Sequence, residues 1–148
     1  MGLIQKLKNK HVFLDSAPLI YYIEENAQYS TFLNKLFLEN SKGVFQFQTS
    51  TITLLEVLVQ PVRQNEHQLA EQYQNILCNS PTIDMFDLTI EIAKKAAVYR
   101  AKYGFKTPDS IQIATAIDAS ADYFLTNDLR LKVVKEIEIL VLDELIKS

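Results

Sequence analysis

Short apolar runs rich in β-formers alternate with segments of helical period along the whole chain, and this order constrains the fold more than any other feature. "HVFLD" (11–15), "GVFQFQTS" (43–50), "TIDMFDL" (82–88), "DYFLT" (122–126) and "IEILVLD" (137–143) read as strands. Between them lie "PLIYYIEE" (18–25), "YSTFLNKLFLEN" (29–40), "ITLLEVLVQ" (52–60), "NEHQLAEQYQNILCN" (65–79), "TIEIAKKAAVYRAKYG" (89–104), a helix over 107–121, and the short "LRLKVVK" (129–135). The third of these helices is expected to stop near Pro61. Strand–helix alternation implies an α/β fold: a three-layer α/β/α arrangement with a mainly parallel central sheet. Right-handed crossovers then bring all strand C-terminal ends to one edge, where ligands bind near the switch in strand order.

The 148 residues, with 48% hydrophobic composition and only 3 Gly and 4 Pro, predict one domain over 1–148 with a real core and no long linker. No apolar run approaches the roughly 20 residues needed to cross a bilayer. "MGLIQKLKNK" lacks an apolar signal core and a good myristoylation site. The single Cys78 sits in an amphipathic pattern and is expected to be buried and inert. Together these predict a cytoplasmic protein. His11 and His67 fall on different element types and form no zinc pattern; His11 reads as a strand start and His67 as a solvated helix residue.

"KTPDSIQIATA" (106–116) has the grammar of a helix start, with Thr107 as N-cap, Pro108 at the first position and Asp109 in the first turn. Alone, Asp109 suits the helix dipole. Asp15 ends the first strand and could cap the next helix. Glu56 is the one charge in "LLEVLV", where Thr53 could form a capping box with it. Asp128 comes just after the strand "DYFLT", where Asn127 or Asp128 could cap the short helix beyond. Each has an ordinary structural explanation, but all four are predicted near one sheet edge. Two carboxylates about 5 Å apart repel by roughly 3 kcal/mol at an effective dielectric near 20. Such a set either titrates abnormally or holds cations, and an all-oxygen site suits Mg²⁺ or Mn²⁺.

"VFLDSAPLIYYIEE", "TSTITLLEVL", "KTPDSIQIATA" and "DYFLTNDLRL" together resemble the PIN domain, a metal-dependent nuclease fold that includes the VapC-type toxins. The resemblance covers roughly residues 10 to 143. It places the family's acidic set on Asp15, Glu56, Asp109 and Asp128, and its Thr-Asn-Asp turn on Thr126, Asn127 and Asp128. The helix reads Asp109-Ser110 where the family often has Asp-Ala. The resemblance implies a hydrolase: an endoribonuclease dependent on Mg²⁺ or Mn²⁺, cleaving RNA as the toxin of a toxin–antitoxin pair. Asp15 and Asp109 are then expected as direct metal ligands. Glu56 and Asp128 bind directly, through water, or orient the attacking water, and the Thr126 hydroxyl fixes a carboxylate or a bound water.

The formal charge is −3, but with these four acids set aside the 15 Lys and Arg face 14 acids. Arg100, Lys102 and Lys106, interleaved with Tyr99, Tyr103 and Phe105, form a candidate RNA-binding patch, although helical spacing alone explains much of it as a solvated basic helix face. Tyr21, Tyr22, Phe32 and Phe37 on the two early helices offer more apolar surface than one core needs, a candidate face for an antitoxin or a homodimer. The alternative reading is a PIN-like module that binds RNA or protein without cutting. A receiver-type signalling domain fits less well: Asp87 could stand as phosphoacceptor, but the paired acids after the first strand are missing.

Overall fold

The computed structural model describes residues 2–147. Five strands form one sheet in the order β3-β2-β1-β4-β5: β1 (His11–Leu14), β2 (Gln46–Ser50), β3 (Ile83–Phe86), β4 (Tyr123–Thr126) and β5 (Glu138–Val141). Every pairing is parallel, with Phe13 opposite Gln48 on one side and Phe124 on the other. The strand order turns between β1 and β4, so the switch point lies where Leu14 pairs with Leu125.

The side-chain period of two divides the sheet into its faces. Val12 and Leu14 enter one core with Phe47, Leu125 and Leu140. Phe13 points the other way and stacks on Phe124 at 5.2 Å, within a second core containing Ile139 and Val141. The first face is covered by α1 (Gly2–Leu7), α2 (Ser16–Ile23), α3 (Ser30–Ser41), α4 (Thr51–Arg63) and α5 (His67–Asn79). The second packs against α7 (Thr107–Asp118) and a short 3₁₀ helix (Leu129–Val133), with α6 (Ile90–Tyr103) packed on α7. The short α8 (Leu142–Ile146) comes after β5. The three-layer α/β/α architecture expected from the sequence is therefore present, and the sheet is parallel throughout.

Several local expectations are corrected. Pro61 does not end α4, which runs on to Arg63. It is buried, and that packing offsets the backbone donor missing from the last turn of the helix. Thr107 is the first residue of α7, and Lys106 takes the cap position, extended and without a side-chain cap bond. Cys78 is exposed, because Tyr73 and Leu77 occupy the inward face of α5 and Cys78 lies about 100° further round. α1 and α8 are too short to show a period in the sequence. His11 and His67 are both exposed, at the start of β1 and of α5.

No capping box joins Thr53 to Glu56. Ser50 caps α4, accepting from the backbone N–H groups of Ile52 (3.1 Å) and Thr53 (3.4 Å). Its hydroxyl donates to the Gln112 side chain, whose Nε2 donates to Thr53 Oγ1 at 2.6 Å. This buried polar seam locks α4 to α7, the two helices that carry Glu56 and Asp109. Ser50→Ala removes the cap and strands the Gln112 oxygen, so a loss of about 2 kcal/mol is expected in urea unfolding.

The aromatic residues of α2 and α3 are largely absorbed by packing. Tyr22 stacks on Phe37 at 3.8 Å and Tyr21 on Tyr29 at 4.5 Å. An exposed apolar stripe lies on α4, where Leu55 (60% exposed), Val59 (42%) and Val62 (65%) recur at helical spacing.

Candidate functional site

Asp15 lies at the end of β1, beside the switch point. It caps α2, with Oδ1 accepting from the Ser16 backbone N–H at 2.9 Å. Oδ2 accepts from the Thr126 hydroxyl, at the end of β4, at 2.8 Å. That hydroxyl also accepts from the Asp128 backbone N–H at 3.1 Å, so one Thr side chain ties two of the predicted acids together. Ser16 makes a second link, its hydroxyl donating to Glu56 Oε1 at 2.6 Å. The Thr-Asn-Asp turn is held from behind. Asn127 Nδ2 donates to the Tyr29 hydroxyl at 3.1 Å, and Asn127 Oδ1 accepts from the Asp143 backbone N–H at 2.9 Å. The Tyr29 hydroxyl donates to the Asp143 carboxylate at 2.6 Å.

Asp15 and Asp109 feel the charges of the neighbouring acids. Burial pushes the Asp15 carboxyl up to about 6, against the pull of its bonds from Thr126 and Ser16, and the charges of Glu56 and Asp109 add to the rise. Asp109, in the first turn of α7, is raised by burial and then by Asp128, while Arg130 and Lys106 oppose the rise. Asp128 moves the other way: hydrogen bonds from Arg130 hold it below the ordinary carboxylate range. Removal of the Thr126 hydroxyl takes away the strongest bond favouring ionised Asp15. In Thr126→Val, the Asp15 carboxyl tracked by NMR titration is expected to protonate at higher pH than in the wild type.

The structure thus gathers Asp15, Glu56, Asp109 and Asp128 at one edge, with Thr126 among them. Two further residues stand at this edge that the sequence does not single out. Ser16 adjoins Asp15, so its position is visible in the sequence although its bond to Glu56 is not. Arg130 reaches back two residues to Asp128, a contact that no periodicity announces.

Of the candidate RNA-binding residues, Lys106 stands next to the acids, at the cap of α7, where its charge acts on Asp109. Arg100 donates to the Phe105 backbone carbonyl. Lys102 pairs with Glu136 at 2.7 Å and lies over the Tyr103 ring. Tyr103 in turn stacks on Phe105 at 5.4 Å.

The donor chemistry at the edge is all oxygen and fits Mg²⁺ or Mn²⁺ better than zinc. Yet among the described residues no group of three or more His, Cys, Asp or Glu side chains is arranged to hold a metal ion. The charge of Asp109 and Asp128 is met instead by the Arg130 guanidinium.

A parallel sheet with acids gathered at the β1/β4 switch point defines a class, and sequence comparison agrees: the PIN domain family model matches residues 12–137, and the chain belongs to this family. Solved structures place it among proteins of the VapC type in fold. It is similar to a chain of VapBC2 from Rickettsia felis, solved with a DNA fragment from its promoter. That match has 15% identity and a TM-score of 0.70, and covers 88% of this chain and 98% of the other. It is similar also to VapC20 from Mycobacterium tuberculosis, a Sarcin-Ricin loop cleaving toxin, with 13% identity, a TM-score of 0.67 and coverage of 86% and 98%. A toxin-antitoxin complex from Klebsiella pneumoniae matches with 19% identity, a TM-score of 0.66 and coverage of 88% and 97%. No curated protein matches the chain in sequence.

Proposed function

We propose that this protein is a VapC-like endoribonuclease that cleaves RNA with the help of Mg²⁺ or Mn²⁺, and that it is the toxin of a toxin–antitoxin pair. One observation carries the reading. Asp15 is held by bonds from two elements at the switch point, in a place where burial and two neighbouring acids make its ionised form unfavourable. A purely structural cap would not need two further carboxylates facing it. In this reading Asp15 and Asp109 hold the ion, and Glu56 and Asp128 complete the acidic edge as direct or water-mediated ligands. A bound divalent ion would neutralise phosphate oxygens and lower the pKa of a water. Thr126 fixes the direction of the Asp15 carboxylate, and Ser16 fixes Glu56 beside it. Lys106 draws the RNA backbone toward the edge.

The similar VapBC2 and toxin-antitoxin complex structures support an antitoxin as partner. The exposed Leu55, Val59 and Val62 stripe supplies apolar surface for it, or for a second copy of the chain. Among the described residues no helix is long and apolar enough to cross a membrane, in keeping with the proposed cytoplasmic location.

The second reading, a PIN-like module that binds RNA or protein without cutting, is favoured by the lack of a ready three-acid group among the described residues. A fluorescent single-stranded RNA separates the two. The nuclease reading expects cleavage with Mg²⁺ or Mn²⁺, stopped by EDTA and restored by added metal. RNA binding in fluorescence anisotropy with intact RNA under all metal conditions would establish the second reading instead.

A further inference from the structure

Arg130 is a cation already paired with the acidic edge. It sits in the 3₁₀ helix that begins directly after Asp128. Its Nε donates to Asp128 Oδ1 at 3.0 Å and one Nη donates to Asp128 Oδ2 at 2.5 Å, a forked pairing. The same Nη lies 3.6 Å from Asp109 Oδ2. One guanidinium therefore bridges the acid of the β4 turn and the acid of α7. Its side chain is 65% exposed, so solvent lies beside it, and its ion pairs among the described residues are with these carboxylates. The backbone N–H of Arg130 also donates to Asp128 Oδ1, at 3.0 Å. That second bond keeps the Asp128 carboxylate in position when the guanidinium leaves.

We infer that Arg130 is a resident counter-ion of the cation site: its guanidinium bridges Asp109 and Asp128 until a divalent ion displaces it. The inference rests on the proposed nuclease reading, because it requires those two acids to face the metal. A guanidinium and a divalent ion compete for the same carboxylate oxygens, and both positive charges cannot share them without repulsion. Arg130 thereby holds the acids near one another without metal and weakens metal binding. It is a positioning residue, acting on the edge through Asp109 and Asp128. An exposed Arg is mobile enough to swing clear, whereas a buried one would be trapped with its charge unpaired.

The test is calorimetric titration with Mn²⁺ of the wild type, Arg130→Gln and Arg130→Lys, alongside thermal melting of the metal-free proteins. Arg130→Gln is expected to bind Mn²⁺ roughly tenfold tighter and to melt lower without metal, since Lys106 then opposes the repulsion between Asp109 and Asp128 without the guanidinium. Arg130→Lys keeps the charge but not the fork, and is expected to fall between the two. A purely structural surface pair would lower melting in Arg130→Gln and leave Mn²⁺ affinity where it was. Unchanged or weaker Mn²⁺ binding in a folded Arg130→Gln protein overturns the inference alone, leaving the nuclease reading in place. A wild-type protein that binds no Mn²⁺ overturns both.

Discussion

Asp15→Asn is expected to make the metal-free protein more stable at neutral pH while lowering RNA cleavage by at least about a hundredfold. The stability change comes from the protonation of Asp15. Its carboxyl rises from 3.8 to about 6, with burial as the main cause. The folded protein therefore holds this proton more tightly than the unfolded chain does. The stabilising effect is fully present below pH of about 4 and is lost as the pH rises through about 6. At neutral pH the ionised, enclosed carboxylate costs on the order of 3 kcal/mol. Asn keeps both hydrogen bonds: its oxygen accepts from the Ser16 N–H, and its amide donates to a Thr126 hydroxyl turned the other way. A gain of about 2 kcal/mol at neutral pH is expected, vanishing in acid, where the wild type is also neutral. Melting curves across pH, without metal, check the sign. A variant no more stable than the wild type at neutral pH would mean that Asp15 titrates like an ordinary surface acid.

Asp109→Asn is expected to lower cleavage by a similar factor, because a neutral amide oxygen is a poor replacement for a carboxylate on Mg²⁺ or Mn²⁺. Its effect on the metal-free protein differs. Asp109 is partly exposed, and Arg130 and Lys106 already offset the repulsion from Asp128. Loss of its charge therefore removes an unfavourable contact and a favourable one together, so metal-free stability should move by less than about 1 kcal/mol. The rise in melting temperature produced by Mn²⁺ should shrink or vanish, since binding to the folded state alone generates that rise. Normal cleavage with an unchanged Mn²⁺-induced rise would show that Asp109 serves only the α7 dipole. Paired with Asp15→Asn, the variant separates two kinds of acid, one strained by enclosure and one balanced by neighbouring cations.

The layers of the fold and the location of the acids are legible in the sequence for one reason. Short continuous apolar runs such as "DYFLT" and the helical period of "STFLNKLFLEN" are direct prints of burial, and alternation of the two permits few topologies. Asp15, Glu56, Asp109 and Asp128 can be placed at one edge because three lie at or just beyond a strand end or in the first turn of a helix, and Glu56 lies in the second turn of a helix that follows a strand directly. The hidden part depends on contacts between segments far apart in the chain. Ser50 and Gln112 are ordinary in their own windows, and only their meeting across α4 and α7 makes them a seam. Cys78 departs from its expected burial because one step along a helix turns a residue by about 100°, and Leu77 beside it already satisfies the inward face. Pro61 departs from its expected role because its local cost is offset by burial that the sequence does not print. Arg130 is silent in the sequence because a charged residue in a polar stretch gives no sign of which acid it will reach.

The separation of 111 residues between Asp15 and its Thr126 partner also has a kinetic consequence. β1 is the central strand, and one of its two neighbours, β4, is made only after β2, β3 and the helices between them. Early segments can collapse around α2 to α5 and pair β1 with β2, since those contacts close shorter loops. The acidic edge cannot do so: Asp15 waits for the chain to reach residue 128 before its hydroxyl donor and the last carboxylate arrive. Pairing of β1 with β4 is therefore expected to be a late, rate-limiting event in folding, and a chain still being synthesised carries no assembled edge.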